Sequence, residues 1–278
     1  MRLLFCGDVM GRAGRTVVTQ EIPRLRKNLD LDLVIINGEN AAHGFGITGA
    51  ICAEFYAAGV DVVTTGNHVW DQRETITYIA EDPQLLRPAN FPKGTPGSGW
   101  TIRTTQQGRQ ILVINVMGRL FMEPLEDPFA AVDQILAEHP LGKDVAAVVV
   151  DIHAEATSEK QALAHHLDGR VSLVIGTHTH VPSADGRVLP NGTAFQSDAG
   201  MCGDYDSVIG MKKNVPVARF RSKMPTDRPA PAEGDATLCG VVVETEPSTG
   251  LAVKIEPLRL GGCLSQQYPL FAQAFAAD

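Results

Sequence analysis

Paired cysteines are absent. The five present, Cys6, Cys52, Cys202, Cys239 and Cys263, are scattered, odd in number and without a CxxC pair. That excludes a disulfide framework and a zinc ribbon and reads as reduced, mostly structural thiols. No apolar run approaches the ~20 residues needed to span a bilayer. No basic n-region with an apolar h-region opens the chain, because Arg2 leads straight into a strand. A cytoplasmic protein without a membrane partner is expected. Positive charge is also scarce, with 24 Lys and Arg against 32 Asp and Glu and a formal net charge of -8. That balance gives no footprint for sequence-independent nucleic-acid binding. P-loop, GxGxxG fingerprint and Ser nucleophile elbow are all missing, as are internal repeats and linkers. The 278 residues are expected to form one domain, 1–278, large enough for a sizeable core.

What the chain does contain is a set of apolar runs, each ending in ligand-type residues. Asp8 follows RLLFCG, Glu39 and Asn40 follow LVIING, Asn67 and His68 follow VVTTG, His153 follows VAAVVVDI, and His178 and His180 follow SLVIGT. Aliphatic runs bounded by Gly read as buried strands of a largely parallel sheet, whose ligands gather outside the carboxyl ends of the strands. Five strand ends thus deliver O and N donors to one crevice, the pattern of a polynuclear metal site in a hydrolase.

The first third alternates strand 2–8, helix 13–28, strand 33–38, helix 48–58, strand 61–65 and helix 71–80, a βαβ pattern. Segment 81–99 is rich in Pro, Gly and Asn and reads as a long loop. A hairpin over 100–118 turns at Gln107-Gly108. Helix 127–138, strand 144–152, helix 158–168 and strand 171–176 restore the alternation. After His180 the pattern becomes β and loop: a strand in 193–200, a polar loop at 204–211, a surface loop at 221–234 and a hairpin over 237–261 turning at Pro247–Gly250. An α/β fold of two face-to-face sheets with helices outside is expected.

Each ligand candidate has a plainer reading. Asp8 could simply cap the next helix. Glu39 could be neutralised by Arg12 or Arg15, although a cation shared with Asp8 explains more, since an unpaired buried carboxylate costs several kcal/mol. Asn67-His68 could be a turn; at a strand end, the amide can ligate while His68, oriented by Asp71, faces substrate. Gly176-Thr177-His178-Thr179-His180 is the strongest element, two His at i and i+2 just past a strand. His165 and His166, with Lys160 and Asp168 nearby, read as a solvated helix face, His139 as a helix-end contact, and His43 as a substrate contact.

The order D, EN, GNH, H, GTHTH resembles the calcineurin-like metallophosphoesterase superfamily. Three departures, Met10 for the first motif's His, NGEN for G-D-x-x-D and GNHVWD without an acid after His, look like the YmdB-like branch, bacterial phosphodiesterases acting on cyclic nucleotides. The likeness runs from Arg2 to about Leu260. It implies a metallophosphoesterase-like αββα sandwich of two mixed β-sheets flanked by helices. It also implies one metal held by Asp8, Glu39, Asn40 and His180, a second by Glu39, Asn67, His153 and His178, and Glu39 as the bridge. Iron or manganese is the family precedent; zinc suits the same donors. Family members self-associate, so a homo-oligomer is implied.

The expected reaction is hydrolysis of a small phosphodiester, a 2′,3′-cyclic or 3′,5′-cyclic mononucleotide, by a hydroxide bridging two metals about 3.5–4 Å apart, with His68 protonating the leaving oxygen. Two other readings stay open: a phosphomonoesterase or nuclease on the same fold, and a metal-binding regulatory protein acting through partner contacts. With net charge -8 and no basic stripe, the metals are expected to be the only strong positive potential, so a compact diester is favoured over a polyanion.

Overall fold

The computed structural model describes residues 1–270. Its elements run β1 (Arg2–Val9), α1 (Gly11–Asn28), β2 (Leu33–Asn37), α2 (Gly49–Ala57), β3 (Val62–Thr64), α3 (Thr75–Tyr78), β4 (Trp100–Thr104), β5 (Gln110–Met117), α4 (Pro128–Glu138) and β6 (Ala147–His153). They continue α5 (Thr157–His166), β7 (Leu173–Thr177), β8 (Arg187–Val188), β9 (Ala194–Gln196), β10 (Met201–Asp204), α6 (Asn214–Ser222), β11 (Ala236–Thr245) and β12 (Ala252–Leu260). One six-stranded sheet has the order β12-β11-β10-β1-β2-β3, with β11 also pairing β1, and the other the order β4-β5-β6-β7-β9-β8. Both are mixed: β1, β2 and β3 run parallel, as do β5, β6 and β7, while the C-terminal hairpin lies antiparallel against β1. No helix among the described residues is long and apolar enough to cross a membrane.

Side-chain alternation along the strands builds three apolar layers. Leu3, Phe5, Leu33 and Ile35 meet Val113, Val149 and Ile175 between the sheets. The intervening Leu4, Cys6, Val34 and Ile36 pack outward on Val18, Ile22 and Phe55 of α1 and α2. On the far side, Ile114, Val148 and Val150 pack against Val132 of α4 and Leu163 of α5. Strands buried on both faces must be apolar at every position, which is why they read as continuous runs. At ~25 cal/mol per Å² of apolar surface, such burial is the main term holding the layers together.

Several elements depart from expectation. The helix at 71–80 shortens to Thr75–Tyr78, because the Gln72 amide donates to Phe45 O and the Thr75 hydroxyl to Ile47 O, tying the segment to the neighbouring loop as turns. The expected loop at 221–234 begins inside a helix, α6, none of whose residues is buried. β10 and β8 are additional short strands, and β10 lies beside β1 in parallel. Lys160 of α5 is fully buried, with its ammonium 3.0 Å from Asp198. His165 and His166 are exposed as expected, and His166 lies 2.9 Å from Asp133.

The Lys160–Asp198 pair clamps the loop carrying His178 and His180. Asp198 Oδ2 also accepts the backbone N–H and the hydroxyl of Thr179. Removing one partner of a buried pair strands the other charge, at a cost of about 3–5 kcal/mol. Lys160→Met should lower the free energy of unfolding in urea by about that amount; a loss below about 1 kcal/mol would show that Asp198 is satisfied without the lysine.

Candidate metal centre

A β-bulge starts the site. β1 and β2 pair Cys6 with Ile36 and then Asp8 with Asn37, so Gly7 is the extra residue. A bulge re-aims the side chains beyond it: Asp8 joins the face of Leu3 and Phe5 and turns into the space between the sheets. Only glycine fits at the bulge, since a Cβ there would lie 1.8 Å from Gly200 O. Gly66 and Gly176 serve similarly at the ends of β3 and β7. A Cβ on Gly66 would enter the His153 ring at 2.1 Å, and one on Gly176 would meet Ser197 O at 1.8 Å.

Seven of the eight candidates converge near strand ends in two groups, and the eighth, His68, stands beside them. In the first, His180 Nε2 lies 3.2 Å from Asn40 Oδ1 and 3.7 Å from Asp8 Oδ1. In the second, His153 Nε2 lies 3.1 Å from each of Glu39 Oε1, Asn67 Oδ1 and His178 Nδ1. Glu39, His153 and His178 offer ligand atoms all within 4.8 Å of one another. Neither arginine neutralises Glu39: Arg15 pairs with Glu54, and the contacts of Glu39 are His153 and the N–H of His68.

Neighbouring hydrogen bonds fix which nitrogen of each ring looks inward. His180 Nδ1 donates to Ile209 O at 2.8 Å, leaving the Nε2 lone pair toward Asn40 and Asp8. The Asn40 amide is itself oriented by donating to Gly44 O. The Thr177 hydroxyl donates to Asp151 and so accepts from His153 Nδ1 at 2.8 Å, leaving His153 Nε2 for the cluster. His178 and His180 have φ of +99° and +64°, conformations that cost about 1–3 kcal/mol each and concentrate at functional sites. The His178 N–H donating to Asp8 Oδ2 and the Thr179 N–H donating to Asp198 hold them there.

The electrostatics of this arrangement are those of a cation site. Burial alone would raise Glu39, but the His153 ring and then His68 pull its carboxyl down to about 2. Burial opposes charge on His153, yet Glu39, with Asp8 and Asp151 behind it, lifts it to about 9. Burial and the neighbouring His153 depress His178 to about 3. Asp8 is raised by burial, against the pull of His180 and His153. A proton on His153 is thus the chain's own countercharge for Glu39, and a metal cation binding there would displace it. One proton cannot serve three acceptors, and Asp8 Oδ1, fully buried, has no hydrogen-bond partner among the described residues. Three imidazoles, two carboxylates and two amide oxygens converging with spare lone pairs fit hard or borderline divalent ions.

His68 stands at the rim. Its Nδ1 lies 2.8 Å from Asp71 Oδ2, and its ring takes the edge of Phe45 at 5.2 Å. It lines a cavity of about 700 Å³ together with Glu39, Asn40, His178 and His180. His43 is exposed and does not line that cavity.

Sequence reasoning missed four features. Asp151 and Thr177 sit in the strands behind the ligands, and Asp151 could have been found from its i, i+2 spacing to His153, which puts both on one face of β6. Glu155 reaches His178 Nε2 at 3.2 Å. Phe45 carried no signal beyond its glycine-rich loop. The fourth corrects the charge argument: segment 212–228 holds six basic residues and one acidic, and its Arg219 and Lys223 line the same cavity. The metals are not the only positive potential at this mouth.

The chain is 48% identical over 256 residues to the 2′,3′-cyclic-nucleotide 2′-phosphodiesterase of Bacillus subtilis (strain 168), covering 92% of this chain and 96% of that protein. The crystal structure of a novel phosphatase from Mycoplasma pneumoniae superposes with a TM-score of 0.86 at 31% identity, covering 98% of this chain and 96% of that one. The calcineurin-like phosphoesterase YfkN from Bacillus subtilis, 13% identical, shares the fold with a TM-score of 0.55 over 96% of this chain and 93% of its own. Residues 4–258 match the family described as YmdB-like protein, and the chain belongs to that family.

Proposed function

We propose that the chain is a dinuclear metal-dependent phosphodiesterase that hydrolyses cyclic nucleotides. The observation that carries the reading is the set of seven buried or half-buried donors with the unpartnered Asp8 Oδ1 at its centre, next to an imidazole that is not part of the set. Asp8, Asn40 and His180 would hold one ion and Asn67, His153 and His178 the other. Glu39 is adjacent to Asn40 in sequence and 3.1 Å from His153, and would be shared. When bound, such ions lower the pKa of water and offset charge on phosphoryl oxygens. Iron or manganese is the proposed pair, and zinc is compatible with the same donors.

The remaining chemistry belongs to His68. With Nδ1 held by Asp71, Nε2 is the nitrogen left to hand a proton to the departing sugar oxygen, and the carboxylate stabilises the ring while it is charged. The edge of Phe45 packs against the same ring. The identity to a relative named for 2′,3′-cyclic nucleotides supports a diester and favours the 2′,3′-cyclic isomer over the 3′,5′. A purely regulatory protein would have no use for a spare oriented imidazole beside an open donor set, since structural metal sites close their coordination sphere.

Protein loaded anaerobically with Fe or Mn should bind two ions per chain by elemental analysis, and Glu39→Gln should deplete both sites. Saturation at one ion ends the dinuclear reading, and full occupancy in Glu39→Gln removes Glu39 as the shared ligand.

His68→Ala should keep its metal content and lose about 10²–10⁴ in kcat on 2′,3′-cyclic nucleotides. The loss should be smaller for p-nitrophenyl diesters, whose leaving group needs no proton. An equal loss on both substrates would make His68 a positioning residue instead.

A further inference from the structure

We propose that α6 and the loop after it form a track for the phosphates of an oligonucleotide, so that the substrate class extends to short RNA ending in a 2′,3′-cyclic phosphate. The proposal rests on the phosphodiesterase reading above and specifies its substrate. Helical spacing gives the first support. Val215, Arg219 and Lys223, at i, i+4 and i+8, and Pro216 and Phe220, at i and i+4, line the cavity that holds His68 and His180. One face of α6 therefore looks onto the donor cluster. The face is not spent on packing: α6 buries no residue, and Phe220 is 70% exposed.

Charge counting gives the second. Six of the chain's 24 basic residues fall within 212–228, against one acidic residue there and a net charge of -8 overall. Lys212 and Lys213 are taken by Glu233 and Asp206, but Arg219 and Lys223 enter no ion pair among the described residues. The Arg228 guanidinium lies 5.2 Å over the Phe45 ring, which in turn meets His68. Cations thus run from the rim of the site outward along α6. The single phosphate of a cyclic mononucleotide sits at the donor cluster and leaves Arg219, Lys223 and Arg228 without an anion, whereas phosphates on its 5′ side would reach them. A basic groove interleaved with an exposed aromatic face, here Phe220, is how single strands are held without sequence preference.

The chemistry is consistent with that substrate. When the 2′-hydroxyl of RNA attacks the adjacent phosphate, the chain breaks and leaves a 2′,3′-cyclic phosphate at the new 3′ end, so the reaction supplying this enzyme is internal RNA cleavage by transphosphorylation. Here the oxygen of water bonds to phosphorus, the bond from phosphorus to O2′ breaks, and O2′ takes a proton. The product is an oligonucleotide with a 3′-phosphate, and no further reactant is needed.

The test compares kcat/KM for a cyclic mononucleotide and for a tetranucleotide with the same cyclic 3′ residue, in the metal-loaded wild type and in Arg219→Glu/Lys223→Glu. Binding of the tetranucleotide 3′-phosphate is followed by fluorescence anisotropy. The wild type should favour the tetranucleotide by about tenfold or more at low salt, an advantage that shrinks as salt rises. The double variant should bring the ratio toward one and weaken anisotropy binding about tenfold, and Phe220→Ala should cost the tetranucleotide about 5- to 100-fold. A wild-type ratio near one overturns the proposal while leaving the phosphodiesterase reading intact, independently of how the variants fold. Turnover of monoesters with neither diester hydrolysed overturns that underlying reading instead. A variant that keeps the oligonucleotide advantage but loses binding to phosphatidylglycerol vesicles assigns the track to a membrane surface, and also overturns the proposal.

Discussion

Two carboxylates buried between β-sheets are the constraint on which the rest of this structure depends. Asp8 and Glu39 are at most 1% exposed, and among the described residues the groups of opposite sign acting on them are imidazoles. Isolated ionised carboxylates in such a place would be neutralised by a pKa shift. Here Glu39 is held ionised by His153, while Asp8 is pushed toward its neutral form. The ring orientations set by Ile209 O and Thr177 turn His180 Nε2 and His153 Nε2 toward the donor cluster, where added positive charge would offset these two carboxylates.

Bringing those groups together requires backbone that ordinary strands do not supply. The bulge at Gly7 turns Asp8 inward, Gly66 lets His153 lie against the β3 end, and Gly176 lets β7 approach Ser197. Positive φ at His178 and His180 adds strain that Asp8 and Asp198 hold in place. The Lys160–Asp198 pair lies directly beneath this loop. A buried ion pair is a weak source of net stability, but it fixes a position, and the position fixed here is that of two ligand candidates.

Much of this was legible in the sequence because burial on both faces imposes continuous apolar runs, and polar residues that end such runs stand out. Asp8, Glu39, Asn67, His153 and His178 were visible for that reason, as was the orientation of His68 by Asp71. What could not be read were contacts made across the fold: Thr177 with Asp151, Lys160 with Asp198, and Glu155 with His178. Lys160 gave no sign of burial because a charged residue on a short helix is usually exposed, and its partner lies 38 residues away. Helix α6 was illegible for the opposite reason. It buries nothing and so leaves no apolar periodicity to detect.

The same helix shows where whole-chain electrostatics mislead. A net charge of -8 suggests repulsion of polyanions, but exposed charges act only over about a Debye length, ~8 Å at physiological salt. A ligand at the mouth of the cavity therefore responds to Arg219, Lys223 and Arg228 and hardly at all to acids on distant faces. On this segment's flanks Asp206 and Glu233 are paired with Lys213 and Lys212, which leaves Asp227 as the one acid among its six basic residues. Local potential is set by which charges a fold leaves without partners, a property of topology that composition does not contain. In this chain Arg219 and Lys223, which enter no ion pair among the described residues, line the cavity that also holds His68, His178 and His180.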